Sequence, residues 1–305
     1  MTTSLIQEEC ANGIRTTDGP DVVARATALR LKLRERATET DRLARLPEAT
    51  IADLERARLF EITTPRIYGG LQLDVRAYMD AMVELGRGDA SVSWVATLVN
   101  INNWFVATLF PPEVSERVFA KPGARVAAVL QPRSCKVRKV SGGFQIEEGV
   151  WAFNSGIYHA QWDILGFSVQ DETGGSLVFA LVPKAEVQIL DDWDTIGVRG
   201  SGSSSVAVRD VFVPDIRVVR ADSAQFGKYK STQFDHEGST AHRSSRWARS
   251  SSRFLRSELD WEPWMSSWSS CRGEQLLIHR TRSSAKRRLR ICNSGKRQQR
   301  SMRRA

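Results

Sequence analysis

The hydrophobic period of this chain changes at Lys121-Pro122-Gly123, and the switch limits it to a helical part followed by a β part. Before the switch, Val22, Val23, Ala26, Leu29 and Leu33 fall at helical spacing with Arg and Glu between them. Ile51, Leu54, Ala57 and Leu59 repeat the pattern after Pro47, so residues 21–61 are expected to form helices with one face each to bury. The stretch L-F-E-I-T-T-P-R-I-Y-G-G-L-Q-L-D reads as a loop, with Pro65 and Gly69-Gly70 supplying turn geometry. Helix resumes over 78–85, residues 86–89 punctuate it, and residues 91–109 form a nearly apolar helix with Asp89 and Ser91 suited to an N-cap. Pro111-Pro112 opens a short helix ending near Phe119.

Beyond the switch, residues 126–130, 144–146, 150–153, 162–169, 176–182 and 205–213 are β-branched and separated by Gly, Asp or Pro turns. This pattern predicts a small β-barrel or sandwich. No G-x-G-x-x-G follows a strand and opens a helix. The expected division is an N-terminal α-helical domain over 1–120, a middle β-barrel domain over 121–220 and a basic tail over 221–305.

The tail is set apart by composition. Residues 224–305 hold 19 Lys/Arg against 6 Asp/Glu, which leaves 25 against 29 for residues 1–223, so the net charge of +9 comes from the tail alone. It also carries 16 Ser, 4 Trp and no Val, a mixture with no continuous apolar face. Two readings stand: a shifted reading frame beginning within 222–245, or a genuine basic arm for nucleic acid or another anionic surface. No apolar run approaches the roughly 18 residues of a membrane span, and the first 30 residues lack a basic-then-apolar signal pattern, which places the expectation in the cytoplasm. Cys10, Cys135, Cys271 and Cys292 lack C-x-x-C spacing, so reduced thiols are expected and no metal site.

Two stretches carry the chemistry. W-A-F-N-S-G-I-Y-H-A-Q-W, residues 151–162, sets Asn154, Ser155 and His159 among three large aromatics, a mixture suited to a planar ring with polar edges. D-D-W-D-T-I-G-V-R-G-S-G-S-S-S-V-A-V-R-D-V-F-V-P, residues 191–214, is a Gly/Ser-rich turn with one arginine before a strand. With P-R-I-Y-G-G (65–70) and G-D-A-S-V-S-W (88–94), in this order and spacing, they resemble the acyl-CoA dehydrogenase superfamily over about residues 21–220. The S-G-x-x-H-A-x-W form is similar to the branch of two-component flavin-dependent monooxygenases, nearest in kind to hydroxylases of aromatic acids, phenols and indoles, including makers of indigo-type pigments.

The resemblance implies an α+β acyl-CoA dehydrogenase-like fold whose C-terminal helical bundle is absent or replaced in this chain. It also implies reduced FMN or FAD and O2 as dissociable cofactors, an NAD(P)H-dependent flavin reductase as partner, and a small aromatic substrate hydroxylated through a C4a-hydroperoxyflavin. Ser155 matches the family's hydroxyl near flavin N5, with a strand-end serine bonded to backbone as the competing reading. His159 either donates to substrate or holds a turn. Phe153, Asn154, Trp193, Arg199, Ser201 and Ser203 are the expected flavin contacts, Arg199 and the two serines on glycine-exposed backbone N–H groups or, alternatively, in an ordinary hairpin turn. Trp94, Asn100, Asn103 and Trp104 on the apolar helix are the expected substrate wall, or else helix-packing residues.

The chain departs from the family after Ser223: the further active-site histidine of the hydroxylases has no counterpart, since His236, His242 and His279 sit in unrelated contexts. The homotetramer usual in the family is accordingly not expected to form fully. An acyl-CoA dehydrogenase is the second reading, disfavoured because A-A-V-L-Q-P-R at 127–133 stands where those enzymes carry Thr-Glu-Pro. A non-catalytic nucleic-acid-binding protein using the tail is the third.

Overall fold

The computed structural model describes residues 18–171 and 174–221. The chain divides into two compact units, Met1–Arg249 and Ser250–Ala305, and only the first contains described residues. The tail, with its histidines and both readings of its origin, lies outside them.

Five α-helices come first among the described residues: α1 (Asp18–Leu43), α2 (Glu48–Arg56), α3 (Val75–Gly88), α4 (Ala90–Leu109) and α5 (Pro112–Val118). Val22, Ala26, Leu29 and Leu33 of α1 are buried, as the i, i+3/i+4 spacing requires, against Tyr78, Ala81, Met82 and Leu85 of α3 and Val92, Val95, Ala96 and Val99 of α4. Asp74 caps α3, its carboxylate accepting from Ala77 N at 2.9 Å. Asp53 of α2, nearly buried, accepts from Arg36 of α1 and from Arg56, both at 2.8 Å. The Arg36 hydrogen bond holds the Asp53 carboxyl below the usual carboxylate range against the opposing effect of burial.

Eight strands follow: β1 (Val126–Val129), β2 (Ser134–Val140), β3 (Gly143–Trp151), β4 (Trp162–Asp171), β5 (Gly174–Pro183), β6 (Gln188–Ile189), β7 (Val206–Pro214) and β8 (Val218–Arg220). They make two four-stranded sheets, in the orders β1-β4-β5-β8 and β2-β3-β7-β6, antiparallel except for the parallel β1–β4 pair. Alternate residues of both sheets, among them Ile146 and Trp151 of β3, Leu165 and Phe167 of β4, Val178 and Ala180 of β5 and Val206 and Val208 of β7, share one apolar core. The β part therefore takes the two-sheet form of the expected alternatives.

β2, β6 and β8 were not expected from the sequence. β2, S-C-K-V-R-K-V, is mostly exposed and carries three cations, and only Cys135 and Val137 turn toward the core, too short an apolar alternation to mark a strand in the sequence. Residues expected as two strands around 144–153 form the single β3.

Helix α4 joins the two parts. Its N-terminal half packs in the helical core, while Asn102 Nδ2 donates to Val126 O of β1 at 3.0 Å. Among the described residues no helix is long and apolar enough to cross a membrane.

Candidate active site

The cap of α4 fixes the register of the site. Asp89 Oδ1 accepts from Ser91 N at 2.7 Å and Val92 N at 3.3 Å, which starts the helix at Ala90 and brings Trp94 round to the turn after β3. There Trp94 Nε1 donates to Ser155 Oγ at 3.0 Å. Ser155 Oγ lies 2.7 Å from Ser203 Oγ, and Ser203 Oγ 2.6 Å from Ser201 Oγ. All three serines are buried, whereas Trp94 is 41% exposed. One indole and three hydroxyls thus run in line from α4, through the 152–156 turn, into the 199–205 loop.

Backbone geometry holds the line in place. The turn needs positive φ at Phe153 (66°) and Gly156 (78°), and it hangs on the loop through Asn154 N to Ser204 O at 3.2 Å and Gly156 N to Ser201 O at 3.0 Å. The loop sits directly on the helices: a Cβ added to Gly200 would stand 2.1 Å from Thr40 Cγ2 of α1 and 3.1 Å from Ser91 Cβ of α4. Val198, just before it, has φ 51°, a left-handed conformation that a β-branched residue adopts only when its surroundings impose it. Beside the loop is a cleft of about 490 Å³ bordered by Thr38, Thr40, Asp41, Asp89, Ser91 and Arg199.

An indole N–H can only donate, so Trp94 fills one of the two lone pairs of Ser155 Oγ. When Ser201 donates to Ser203 and Ser203 to Ser155, the second lone pair is filled too. The Ser155 proton then has no acceptor within the line and is turned toward whatever occupies the site.

Of the other residues expected at the site, the aromatic pair stays beside the turn and loop. Phe153 and Trp193 meet edge to face with centroids 6.1 Å apart, and Trp193 Nε1 donates to Arg199 O at 2.9 Å. Arg199 borders the cleft, but its guanidinium is tied to Asp194 and, through Nε at 3.0 Å, to Asp41 O. These bonds anchor the loop to α1.

Five other expected residues have partners away from the serine line. Asn154 Nδ2 turns inward and donates to Asp163 Oδ2 at 2.6 Å, in full burial. His159 lies outside the serine line. Its Nδ1 faces Glu48 Oε1 at 3.4 Å, and burial pushes the imidazole down to about 4, outweighing the pull of Glu48, which favours the neutral ring with one N–H donor at pH 7.

Asn100 and Asn103 hold backbone. Asn100 Oδ1 accepts from Ile62 N (2.8 Å) and Thr63 N (3.3 Å) while its Nδ2 donates to Leu59 O and Ala96 O (both 2.8 Å), and Asn103 Nδ2 donates to Phe60 O (3.1 Å) and Ala124 O (2.8 Å). The proposed wall also fails geometrically. Ten residues of helix put Trp104 about 15 Å along the axis from Trp94, and the 100° step turns Asn103 to the opposite face. Trp104 instead neighbours Phe105 at 5.8 Å between centroids.

The buried carboxyl of Asp163 was missed by sequence reasoning. A lone acid in the apolar run D-I-L-G-F at the head of β4 was the available signal.

Comparison with known proteins bears on the sequence and the fold. The sequence profile described as "Acyl-CoA dehydrogenase, N-terminal domain" matches residues 24–118. The flavin-dependent monooxygenase oxygenase subunit HsaA of Rhodococcus jostii (strain RHA1) is 34% identical over 197 residues, 64% of this chain and 51% of that protein. The oxygenase component of the FADH(2)-dependent resorcinol hydroxylase of Rhizobium sp. (strain MTP-10005) is 31% identical over 216 residues, 70% of this chain and 52% of that one. The crystal structure of 3-HSA hydroxylase from Rhodococcus sp. RHA1 superposes with a TM-score of 0.67 at 30% identity, covering 74% of this chain and 58% of that chain. The chain spans about half the length of the relatives it matches. In sequence and in fold, the described part of this chain resembles the acyl-CoA dehydrogenase superfamily on its flavin-dependent monooxygenase branch.

Proposed function

We propose that the chain is the oxygenase part of a two-component flavin-dependent monooxygenase that hydroxylates a small aromatic compound. The observation that carries the reading is the line Trp94–Ser155–Ser203–Ser201, which leaves the Ser155 proton free for an external acceptor when Ser203 donates to Ser155. Flavin fits the residues present: the Phe153–Trp193 pair offers apolar edges and faces, and Ser155 offers a donor for a ring nitrogen. When bound, reduced flavin would supply the activation of O2. The chain's own part is to hold the ring beside Ser155, to keep that hydroxyl's proton pointing at it, and to limit water through buried serines. A separate NAD(P)H-dependent reductase would deliver the flavin, in the cytoplasm where NAD(P)H is drawn on. The relatives' descriptions, an oxygenase subunit and an oxygenase component, support this division of labour.

The test supplies reduced flavin, O2 and a panel of phenols and indoles to the full chain, and compares hydroxylated product with hydrogen peroxide released. Wild type is expected to couple flavin oxidation to product. Ser155→Ala removes the donor and should lower coupled turnover about 100-fold, the usual cost of one preorganised donor, with peroxide rising in compensation. Ser203→Ala should fall less, by about tenfold, and the double variant should be no worse than Ser155→Ala, because Ser203 acts through Ser155. Peroxide alone from wild type, or bleaching by an acyl-CoA instead, would overturn the reading.

A further inference from the structure

We infer that Asp163 is a positioning residue, held as a neutral carboxylic acid in a two-hydrogen-bond ring with the Asn154 side-chain amide, and that this ring fixes the turn presenting Ser155. Asp163 is fully buried at the head of β4. Asn154 Nδ2 donates to Asp163 Oδ2 at 2.6 Å. The remaining oxygens, Asn154 Oδ1 and Asp163 Oδ1, are both buried and both lack a partner among the described residues. Two bare acceptors would each carry a desolvation cost, and a buried carboxylate with no cation a larger one. One proton on Asp163 Oδ1 removes both problems, since Oδ1–H then donates to Asn154 Oδ1 while Nδ2–H donates to Oδ2.

Among the described residues, nothing on the surrounding elements offers Asp163 a counter-charge. Its neighbours in register are Ala127 of β1 and Val182 of β5, and neither strand contains a titratable residue. Helix α4, which packs on β1, carries no charge. In β2 of the facing sheet, Lys136 and Arg138 pair with Glu147 and Lys139 pairs with Asp215, all at the surface. In the turn itself, Tyr158 bonds to Asp191 and Ser204, and His159 faces Glu48. Arg125, ahead of β1, is taken by Glu55 and by His159 O. Burial pushes the Asp163 carboxyl up to about 8, with the Asn154 hydrogen bond opposing it only in part.

The consequence for Ser155 is mechanical. Asn154 is the residue before it, and its N–H to Ser204 O bond is part of what hangs the turn on the loop. With the Asn154 side chain locked into β4, Ser155 Oγ is held between Trp94 and Ser203. The link to catalysis rests on the proposed function, whereas the protonated ring does not.

The test uses the full chain. Infrared spectra at pH 6 should contain the carbonyl band of a protonated carboxylic acid in the wild type and lack it in Asp163→Asn. The folded-state value lies above that of an unfolded aspartate, so the native state holds the extra proton between about pH 4 and 8 and the wild type loses stability as pH rises through that window. Asp163→Asn, which can form the same ring as a pair of amides, should remove that loss and keep the wild-type unfolding midpoint at pH 6. Reduced-flavin affinity should be kept within about threefold by Asp163→Asn and lost by about tenfold or more in Asp163→Ala, a fold-change equal to one broken hydrogen bond. Absence of the acid band at pH 6, or an Asp163→Asn variant as impaired as Asp163→Ala, would overturn the inference. A wild type that binds no reduced flavin would instead overturn the proposed function, with the infrared and unfolding results still deciding the ring.

Discussion

A buried imidazole without a strong partner is a proton that the folded state refuses, and His159 is such a group. Its Nε2 has no partner among the described residues, and Arg125, Lys184 and Arg45 reinforce the effect of burial in keeping it neutral, against Glu48 alone. Its folded value of about 4 lies below the ordinary value of 6.5, so in that window the unfolded chain binds the proton and the folded chain does not. Stability should therefore be full above pH 6.5 and fall as pH drops toward 4. His159→Gln should flatten that slope by about 2–3 kcal/mol between pH 7 and 4, measured by urea unfolding at the two pH values. An unchanged slope would mean that the imidazole takes a proton in place and pairs with Glu48. Sequence alone left this residue open between catalyst and turn-holder, because the direction a side chain points is not contained in S-G-I-Y-H-A-Q-W. The same ambiguity produced the error at Asn100, whose polarity was visible on an apolar helix while its four backbone partners, 4 to 41 residues away, were not.

Between elements, the decisive contact is that of the 199–201 segment against α1 and α4, and two glycines separate its steric from its conformational demands. Gly200 has no room for a methyl group beside Thr40 and Ser91, whereas a Cβ on Gly197 would meet nothing within 4 Å. Gly200→Ala should cost about 1–3 kcal/mol and, by lifting the loop from the helices, separate Ser201 and Ser203 from Ser155. Gly197→Ala should leave both stability and coupled turnover near wild type, and thermal unfolding with the product assay on the two variants would check the contrast. The elements were legible wherever burial imposes a period: Val22, Ala26, Leu29 and Leu33 in α1, and the alternation along β7. β2 was not, because its cations pair with Glu147 and Asp215 at the surface and only Cys135 and Val137 reach the core. The site was legible in its parts, since Ser155, Ser203 and Trp94 were all named from local motifs. Their assembly was not, because the bonds that join them span 61 and 48 residues and depend on where α4 meets the sheets.

At the scale of the whole molecule, charge and chemistry occupy different stretches of chain. The hydroxyl line and its aromatic pair fall between Trp94 and Ser203, within a region, 1–223, that has 25 basic and 29 acidic residues, whereas 224–305 has 19 and 6. The difference, 25 − 29 = −4, means that deleting 224–305 changes the net charge from +9 to −4. Any retention of the full chain on duplex DNA should then be carried by those 82 residues, fall linearly in log affinity with log salt, and vanish on their deletion. The hydroxyl line answers to local packing of α4, the turn and the loop, so reduced-flavin affinity should survive the same deletion within about threefold, a change below 1 kcal/mol. Running both measurements on both chains sets the two functional readings against each other. Flavin affinity that survives while DNA retention disappears would place the enzyme in the first part of the chain and leave the basic tail with an independent role. Flavin affinity that disappears with the tail would mean that residues beyond 223 help to hold the cofactor, and the line through Ser155 would then be insufficient for binding.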